Sequence, residues 1–518
     1  MAKVYSIRHS RLVTTAVLAA VVALGSPVLA QQPPAAPPQA PATGTGPLLQ
    51  LSMDQAATMA LEANLGLKAE RLNLDVASQS IAISKAAYLP IVNFGVSRNS
   101  TRRAAQFLPD GTATVSLSDT FSGSGQVVQQ LQWYGGQYSV NWAANRFSAP
   151  GATSSFNPSL GSTLRVDFTQ PLLRDFKTDA QRAGLETAER RRVIADTQLE
   201  QAIIATDINA RLAYLALVAA IERLKVAKEN LAIREESLVQ ARARVAVGAS
   251  AQIDVIQAEA VVASNREQVI VAQAGIYLAE DNLRVIILDP SRPDYWQLRF
   301  EPTDTIQMVQ REIDVDAATK NALANRLDLL IERRNLEITD LNLQLGHNNT
   351  LPIVDFNLNY NAAGSGGAPG IPTVTERGFA TVLNDTFTNA YPAWTFGVSV
   401  GYPIGRTAAQ ATLAQGQVQK RRQELALRDA ELQVIREVRD AARLVQNSWE
   451  RVQATGAALR ANEQQLAAEQ RRFAVGLSTT LDMQIRQTEL AQARNAELSA
   501  RIDYNRALLN FERVQKTN

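Results

Sequence analysis

The chain writes one phrase twice, and that repetition restricts its fold more than any other feature. Leu351-Pro352-Ile353-Val354-Asp355-Phe356-Asn357-Leu358-Asn359-Tyr360-Asn361 restates Leu89-Pro90-Ile91-Val92-Asn93-Phe94-Gly95-Val96-Ser97-Arg98-Asn99. Apolar and small or polar side chains alternate in both copies, which predicts strands over about 89–100 and 351–361 whose two faces meet different surroundings. Two further segments have the same period. Over 163–170, Leu164, Val166 and Phe168 oppose Arg165, Asp167 and Thr169, and Pro171 ends the strand. Over 394–402, Phe396, Val398, Val400 and Tyr402 oppose Thr395, Gly397, Ser399 and Gly401, and Pro403 ends it. Between the first two strands, 101–161 is rich in Gly, Ser, Thr, Asn and aromatics and reads as a long loop, with one hairpin piece at Tyr138-Ser139-Val140-Asn141-Trp142.

Helical periodicity takes over after each second strand. From about 178 to 247 there is no proline and one glycine, Gly184, while Ile203, Ala210, Tyr214, Leu217, Ile221, Leu224, Leu231 and Leu238 recur at three- and four-residue steps. At ~1.5 Å per residue this long helix approaches ~105 Å. Arg242, Arg244 and Gly248 mark its end, suiting the last carbonyls and the dipole, and a returning helix follows over about 250–288 until Asp289-Pro290. The second half repeats the plan with a long helix over about 407–475, Gly476, and a returning helix over about 480–514. Shorter helices precede each first strand, over 52–64 and 66–87 and again over 315–325 and 327–347. Leu89 to Leu351, Pro171 to Pro403 and Gly248 to Gly476 are intervals of 262, 232 and 228 residues, so the first loop is the longer and the helical halves nearly match. The plan is an internal duplication: repeat 1 over 51–290, a linker over 291–311, and repeat 2 over 312–518.

Ahead of the duplication, Lys3, Arg8 and Arg11 precede an apolar run over 12–24, then Pro27 and the small-residue pattern Val28-Leu29-Ala30. Residues 1–30 read as a secretory signal peptide, the apolar run being too short to cross a bilayer, and 31–50 as a Pro-rich disordered tether. Nowhere else is a stretch long and uniformly apolar enough for a transmembrane helix, so a membrane would be crossed by strands. Cysteine is absent and the only histidines are His9 and His347, which argues against disulfides, thiolate or imidazole metal sites and His-based catalysis. No catalytic residues, metal site or cofactor is expected, and 52 basic against 50 acidic residues gives no pull toward nucleic acid.

A strand with one greasy and one wet face, 9–11 residues long, suits a membrane barrel with lipid outside and water inside, and Tyr88, Tyr360, Trp394 and Tyr402 sit near strand ends as interfacial aromatics do. Four strands cannot close, and open edges are not tolerated in lipid, so several chains must share one barrel; a conducting lumen calls for at least three chains and twelve strands. The Ala-, Gln-, Arg- and Glu-rich helices carry narrow apolar stripes and pack edge-on as coiled coils. The fold class is an α+β membrane protein of two structural repeats, each a β-hairpin continued by long coiled-coil helices.

This order of elements resembles the TolC-like outer-membrane efflux protein family from Leu51 to the C-terminus. The most specific matches are Leu89-Pro90 and Leu351-Pro352, Thr169-Gln170-Pro171-Leu172-Leu173, Tyr402-Pro403-Ile404-Gly405, and Arg472-Phe473-Ala474-Val475-Gly476-Leu477-Ser478-Thr479-Thr480-Leu481-Asp482. The resemblance implies a homotrimer sharing one 12-stranded β-barrel in outer-membrane lipid and an α-helical periplasmic tunnel, docked to a periplasmic adaptor protein and an inner-membrane transporter. It implies a periplasmic gate at Asp482, with Ile485 where the family has a second acidic residue, and makes Asp254 the duplicated, secondary gate position. It also places Val247, Gly248, Val475, Gly476 and Leu477 at adaptor-docking tips. The expected function is passive small-molecule exit from a tripartite efflux system; the alternatives are the exit duct of a type I protein secretion system and a secreted coiled-coil scaffold.

Overall fold

A computed structural model describes residues 47–107, 113–149, 154–304, 308–402, 404–405 and 407–515. The expected signal peptide and nearly all of the expected tether lie outside the described residues. The chain divides into two compact units. In the small one, residues up to Leu49 join Trp296–Arg299, and the Arg299 N–H donates to the Pro47 carbonyl at 3.1 Å. The large unit holds the sheet and the helices.

In chain order the elements are β1 (Leu48–Leu51), α1 (Met53–Ala63), α2 (Leu65–Ala86), β2 (Ile91–Phe107), β3 (Ala113–Gln130), β4 (Gln137–Ser148) and β5 (Phe156–Pro171). They continue with α3 (Ala180–Ala246), α4 (Gln252–Ile287), β6 (Arg299–Pro302), α5 (Val315–Asn325), α6 (Leu327–Asn348), β7 (Ile353–Pro369), α7 (Phe379–Phe387), β8 (Pro392–Gly401), α8 (Ala408–Ala474) and α9 (Thr480–Gln515).

Six strands form one antiparallel sheet in the order β2-β3-β4-β5-β7-β8, where four strands were expected. The correction lies in 101–161. What reads as loop is the outer part of β2, the hairpin β3–β4 and the start of β5. The reason is visible in the register. Gly125 sits between Phe94 and Trp142, and a Cβ on it would lie 3.3 Å from the Phe94 ring. Glycine on this face makes room for the neighbours' aromatic rings, so β3 carries little hydrophobic pattern of its own while completing its neighbours' surface. The segment between β7 and β8, also expected to be loop, contains α7, whose Val382 is fully buried against Gly364 and Gly366 of β7.

The two faces stay distinct across all six strands. Val92, Val127, Val140, Val166, Tyr360 and Trp394 align as one apolar row. The row beside it, on the other face, is Asn93, Gln126, Asn141, Arg165 and Asn361. On that polar face Arg165 pairs with Asp167 at 2.9 Å, Asn359 donates to Asp167, and Asn357 donates to Ser399 Oγ at 3.0 Å. β2 and β8 are the edges of the sheet.

The helices repeat with equal lengths: α3 and α8 have 67 residues each, and α4 and α9 have 36 each. Asp179 caps α3 by accepting from the Arg182 N–H, and Thr407 caps α8 by accepting from the Gln410 N–H. α3 packs on α4, and α8 on α9. By length and composition one stretch of α3 could cross a bilayer, contrary to expectation. Within α3, Tyr214, Leu215, Leu217, Val218, Ala219 and Ala220 are buried, and α1, α4 and α9 pack along the helix. One hydrophobic core gathers Ala318, Leu329, Val438, Val445, Tyr504 and Phe511 from α5, α6, α8 and α9.

Candidate functional site

The helical hairpin tips are built by the same local chemistry in both repeats. Gly248 has φ 72° and Gly476 φ 79°, the left-handed conformation that glycine adopts without a Cβ penalty. In repeat 1 the Ala249 N–H donates to the Arg244 carbonyl at 2.8 Å and the Gly248 N–H to Val245 at 3.0 Å. In repeat 2 the Leu477 N–H donates to Arg472 at 2.9 Å and the Gly476 N–H to Phe473 at 3.1 Å. This is a Schellman closure in each repeat, which satisfies the last helical carbonyls and turns the chain back sharply. It leaves Val247, Val475 and Leu477 79 %, 70 % and 71 % exposed, so each tip offers apolar side chains to water.

The two tips are joined. The Arg244 guanidinium lies 3.6 Å over the Phe473 ring and donates to the Phe473 carbonyl at 3.3 Å. Ser478 donates to Glu469, and Arg472 pairs with the same Glu469, which holds the α8–α9 turn.

Asp482 lies in the first turn of α9 and is exposed. Its Oδ2 accepts from the Thr479 hydroxyl at 2.6 Å and the Thr479 N–H at 3.1 Å, while its own N–H donates to Thr479 Oγ1 at 3.2 Å. These two residues form a reciprocal cap, the structural task that a helix N-terminus sets for an acidic third residue. The Thr479 hydroxyl, then its N–H, with help from Arg472 and Arg486, holds the Asp482 carboxyl below its usual range, so it is ionised. Ile485, one turn on, is also exposed, whereas Met483 and Gln487 are buried; Leu481, Asp482 and Ile485 are presented outward together. Asp254 is half-buried in the first turn of α4, whose N-cap Ala251 supplies no side-chain cap. The repeats thus differ at this point: Asp482 is locked to Thr479, and Asp254 has no such box. Among the described residues, no group of three or more His, Asp or Glu side chains is placed to hold a metal ion.

One residue near the tips escapes the sequence reading. Arg234 on α3 is buried, donating to Gln487 Oε1 at 2.8 Å and Thr488 Oγ1 at 2.8 Å on α9, and Gln487 in turn donates to Ser237 at 2.8 Å. Burial pulls the Arg234 guanidinium pKa down. Its signal was its phase: Arg234 stands three residues after Leu231 and four before Leu238, on the apolar stripe.

A two-faced sheet with open edges, continued by paired helices ending in matched closed turns, defines a wall segment of a shared outer-membrane channel. The sequence profile of the outer membrane efflux protein family matches residues 56–287 and 318–514. The chain belongs to that family and is an outer-membrane efflux channel subunit. It is 26 % identical over 390 residues to the outer membrane efflux protein BepC of Brucella suis biovar 1 (strain 1330), covering 70 % of this chain and 76 % of that one. In fold it is similar to the outer membrane protein VceC of Vibrio cholerae, with TM-score 0.64 at 16 % identity over 89 % of this chain and 95 % of VceC. The CmeC outer membrane channel of Campylobacter jejuni gives TM-score 0.64 at 14 % identity over 89 % and 85 %. Outer-membrane residence sets aside the soluble scaffold.

Proposed function

We propose that three copies assemble as a homotrimer that closes the β-barrel in outer-membrane lipid and forms a passive exit duct for small molecules, with no catalytic step. The observation that carries this reading is the sheet: six strands share one apolar and one polar face, and both edges need a partner. Val247, Gly248, Val475, Gly476 and Leu477 dock a periplasmic adaptor protein, which couples the duct to an inner-membrane transporter. Their support is exposed apolar surface at a rigid turn, where a polar chain end would serve solubility better.

Asp482 is the periplasmic gate. Three copies around one axis form a ring of ionised carboxylates that concentrates cations and admits one multivalent ion tightly. Asp254 belongs to the secondary position. It lacks the cap that fixes Asp482 and contributes less.

Asp482→Ala is the test. Low-salt single-channel conductance rises and the multivalent cation concentration needed for half block rises roughly tenfold, on the scale of charge focusing; unchanged block moves the gate elsewhere. The pH dependence has a definite sign. A carboxyl held below its usual range keeps its charge above that depressed pKa and loses it only as pH falls through it, so block in the parent channel stays flat from about pH 7 to about pH 5.

A further inference from the structure

We infer that α7 is an outer-leaflet anchor: its apolar stripe of Phe379, Leu383 and Phe387, continued by Tyr391, is seated at the boundary between acyl chains and headgroups of the outer leaflet. The inference rests on the reading that the apolar face of the sheet meets lipid. It assigns the β7–β8 connection to the membrane surface instead of the channel mouth.

The first support is the side of the sheet on which α7 lies. Ser162, Ala362, Gly364 and Gly366 share a face with Val166, Phe168, Leu358 and Tyr360, and they are small where those residues, further in, are large. The small residues are the seat of the helix. Val382 is fully buried there, because a Cβ on Gly364 would collide with its carbonyl and one on Gly366 with its side chain. Thr386, also buried, donates to the Ser162 carbonyl at 3.2 Å. At the start of the helix, Arg377 donates to the Ser365 carbonyl at 3.1 Å and pairs with Asp385. α7 is therefore fixed to the lipid-type face and cannot fold over the polar one without losing all of these contacts.

The second support is what α7 leaves uncovered. At about 100° per residue, Phe379, Leu383 and Phe387 fall within about 80° of one another, beside the arc that Val382, Asp385 and Thr386 bury. Thr381, Asn384 and Thr388 take the remaining side and are exposed. The helix thus has three faces, one for the sheet, one apolar and one polar. Phe379, Phe387, Tyr391 and Trp394 are all exposed. Over 378–394 the only charged side chain is Asp385, and Arg377 neutralises it on the sheet side. Aromatic groups without charge suit an interface between hydrocarbon and water, and they are a liability in a loop surrounded by water.

The third support is height. An apolar band ~25 Å tall takes about ten residues of strand at ~3.3 Å rise and ~40° tilt. Counted outward from Val354, paired with Val400 near the helical end of β7, the band ends close to Gly364, where α7 is seated. Barrel closure offers no other cover for the stripe. The sheet edges that take partner strands are β2 and β8, whereas α7 packs on β5 and β7.

The test places single nitroxide labels on the full-length protein, which has no cysteine of its own, reconstituted as trimers in phosphatidylcholine vesicles. Phe379→Cys and Phe387→Cys report the stripe, Thr381→Cys and Asn384→Cys the polar side, and Val398→Cys the lipid face of β8. The ratio of oxygen to nickel-chelate accessibility is expected to be several-fold higher at 379 and 387 than at 381 and 384, and higher still at 398. Equal, water-like ratios at all four α7 positions, with 398 in lipid, overturn the anchor and leave the lipid-facing sheet intact. Shielding of 379 and 387 from both reagents means that protein covers the stripe, which also overturns it. A water-like ratio at 398 overturns the lipid-face reading and the anchor together.

Discussion

Gly476→Val is expected to reach the outer membrane as an assembled oligomer and to lose most of its export. At φ 79° a β-branched residue is strained by about 1–3 kcal/mol, and no atom lies within 4 Å of the site to be displaced, so the damage is confined to the turn itself. Val475 and Leu477, the exposed apolar pair, are re-aimed. Gly476→Asn is the control, since asparagine tolerates the left-handed region, and it retains most export. Accumulation of a fluorescent efflux substrate reads the function, and heat-modifiable gel migration reads assembly. Normal export by Gly476→Val removes the tips from docking, and failure to assemble makes the turn structural.

Tyr504→Ala is expected to cost about 3–5 kcal/mol, the range for deleting a large buried aromatic. Tyr504 is fully buried in the α5–α6–α8–α9 core, its ring 5.2 Å from Trp449. Its hydroxyl donates to the Val309 carbonyl at 2.7 Å and accepts from the Arg311 N–H at 3.3 Å, tying the segment before α5 to α9. Tyr504→Phe keeps the packing and loses the hydrogen bonds, about 1–2 kcal/mol. Thermal dissociation of the oligomer in detergent measures both: a large drop for alanine and a small one for phenylalanine. Equal drops would assign the stabilisation to the hydroxyl instead of the ring.

The parts of this fold legible from the chain are those whose chemistry is local. Pro171 ends β5, Gly248 and Gly476 close helices, and the alternation in β7 and β8 names both faces before any neighbour is known. β3 is illegible for the opposite reason. Its Gly125 stands on the apolar face as a gap that Phe94 and Trp142 fill from adjacent strands, so its pattern exists only in the assembled sheet. At the tips, the motif around Asp482 was visible, but its cap from Thr479 and the Arg244–Phe473 stack that ties one repeat to the other are contacts made in space. Arg234 shows the limit of reading by residue type: a guanidinium within a run of charges counts as solvated until Gln487 and Thr488 of another helix are seen to receive it.

The central claim is that the apolar side of this sheet touches lipid while its polar side is wet. The parent protein has no cysteine, so single substitutions report without background. Cysteines at Phe356 and Val398, directly paired on the apolar face, should stay protected from a membrane-impermeant thiol reagent in intact outer membranes. Cysteines at Asn357 and Ser399, joined by a hydrogen bond on the polar face, should react. Ready labelling at 356 and 398 with protection at 357 and 399 would contradict the account.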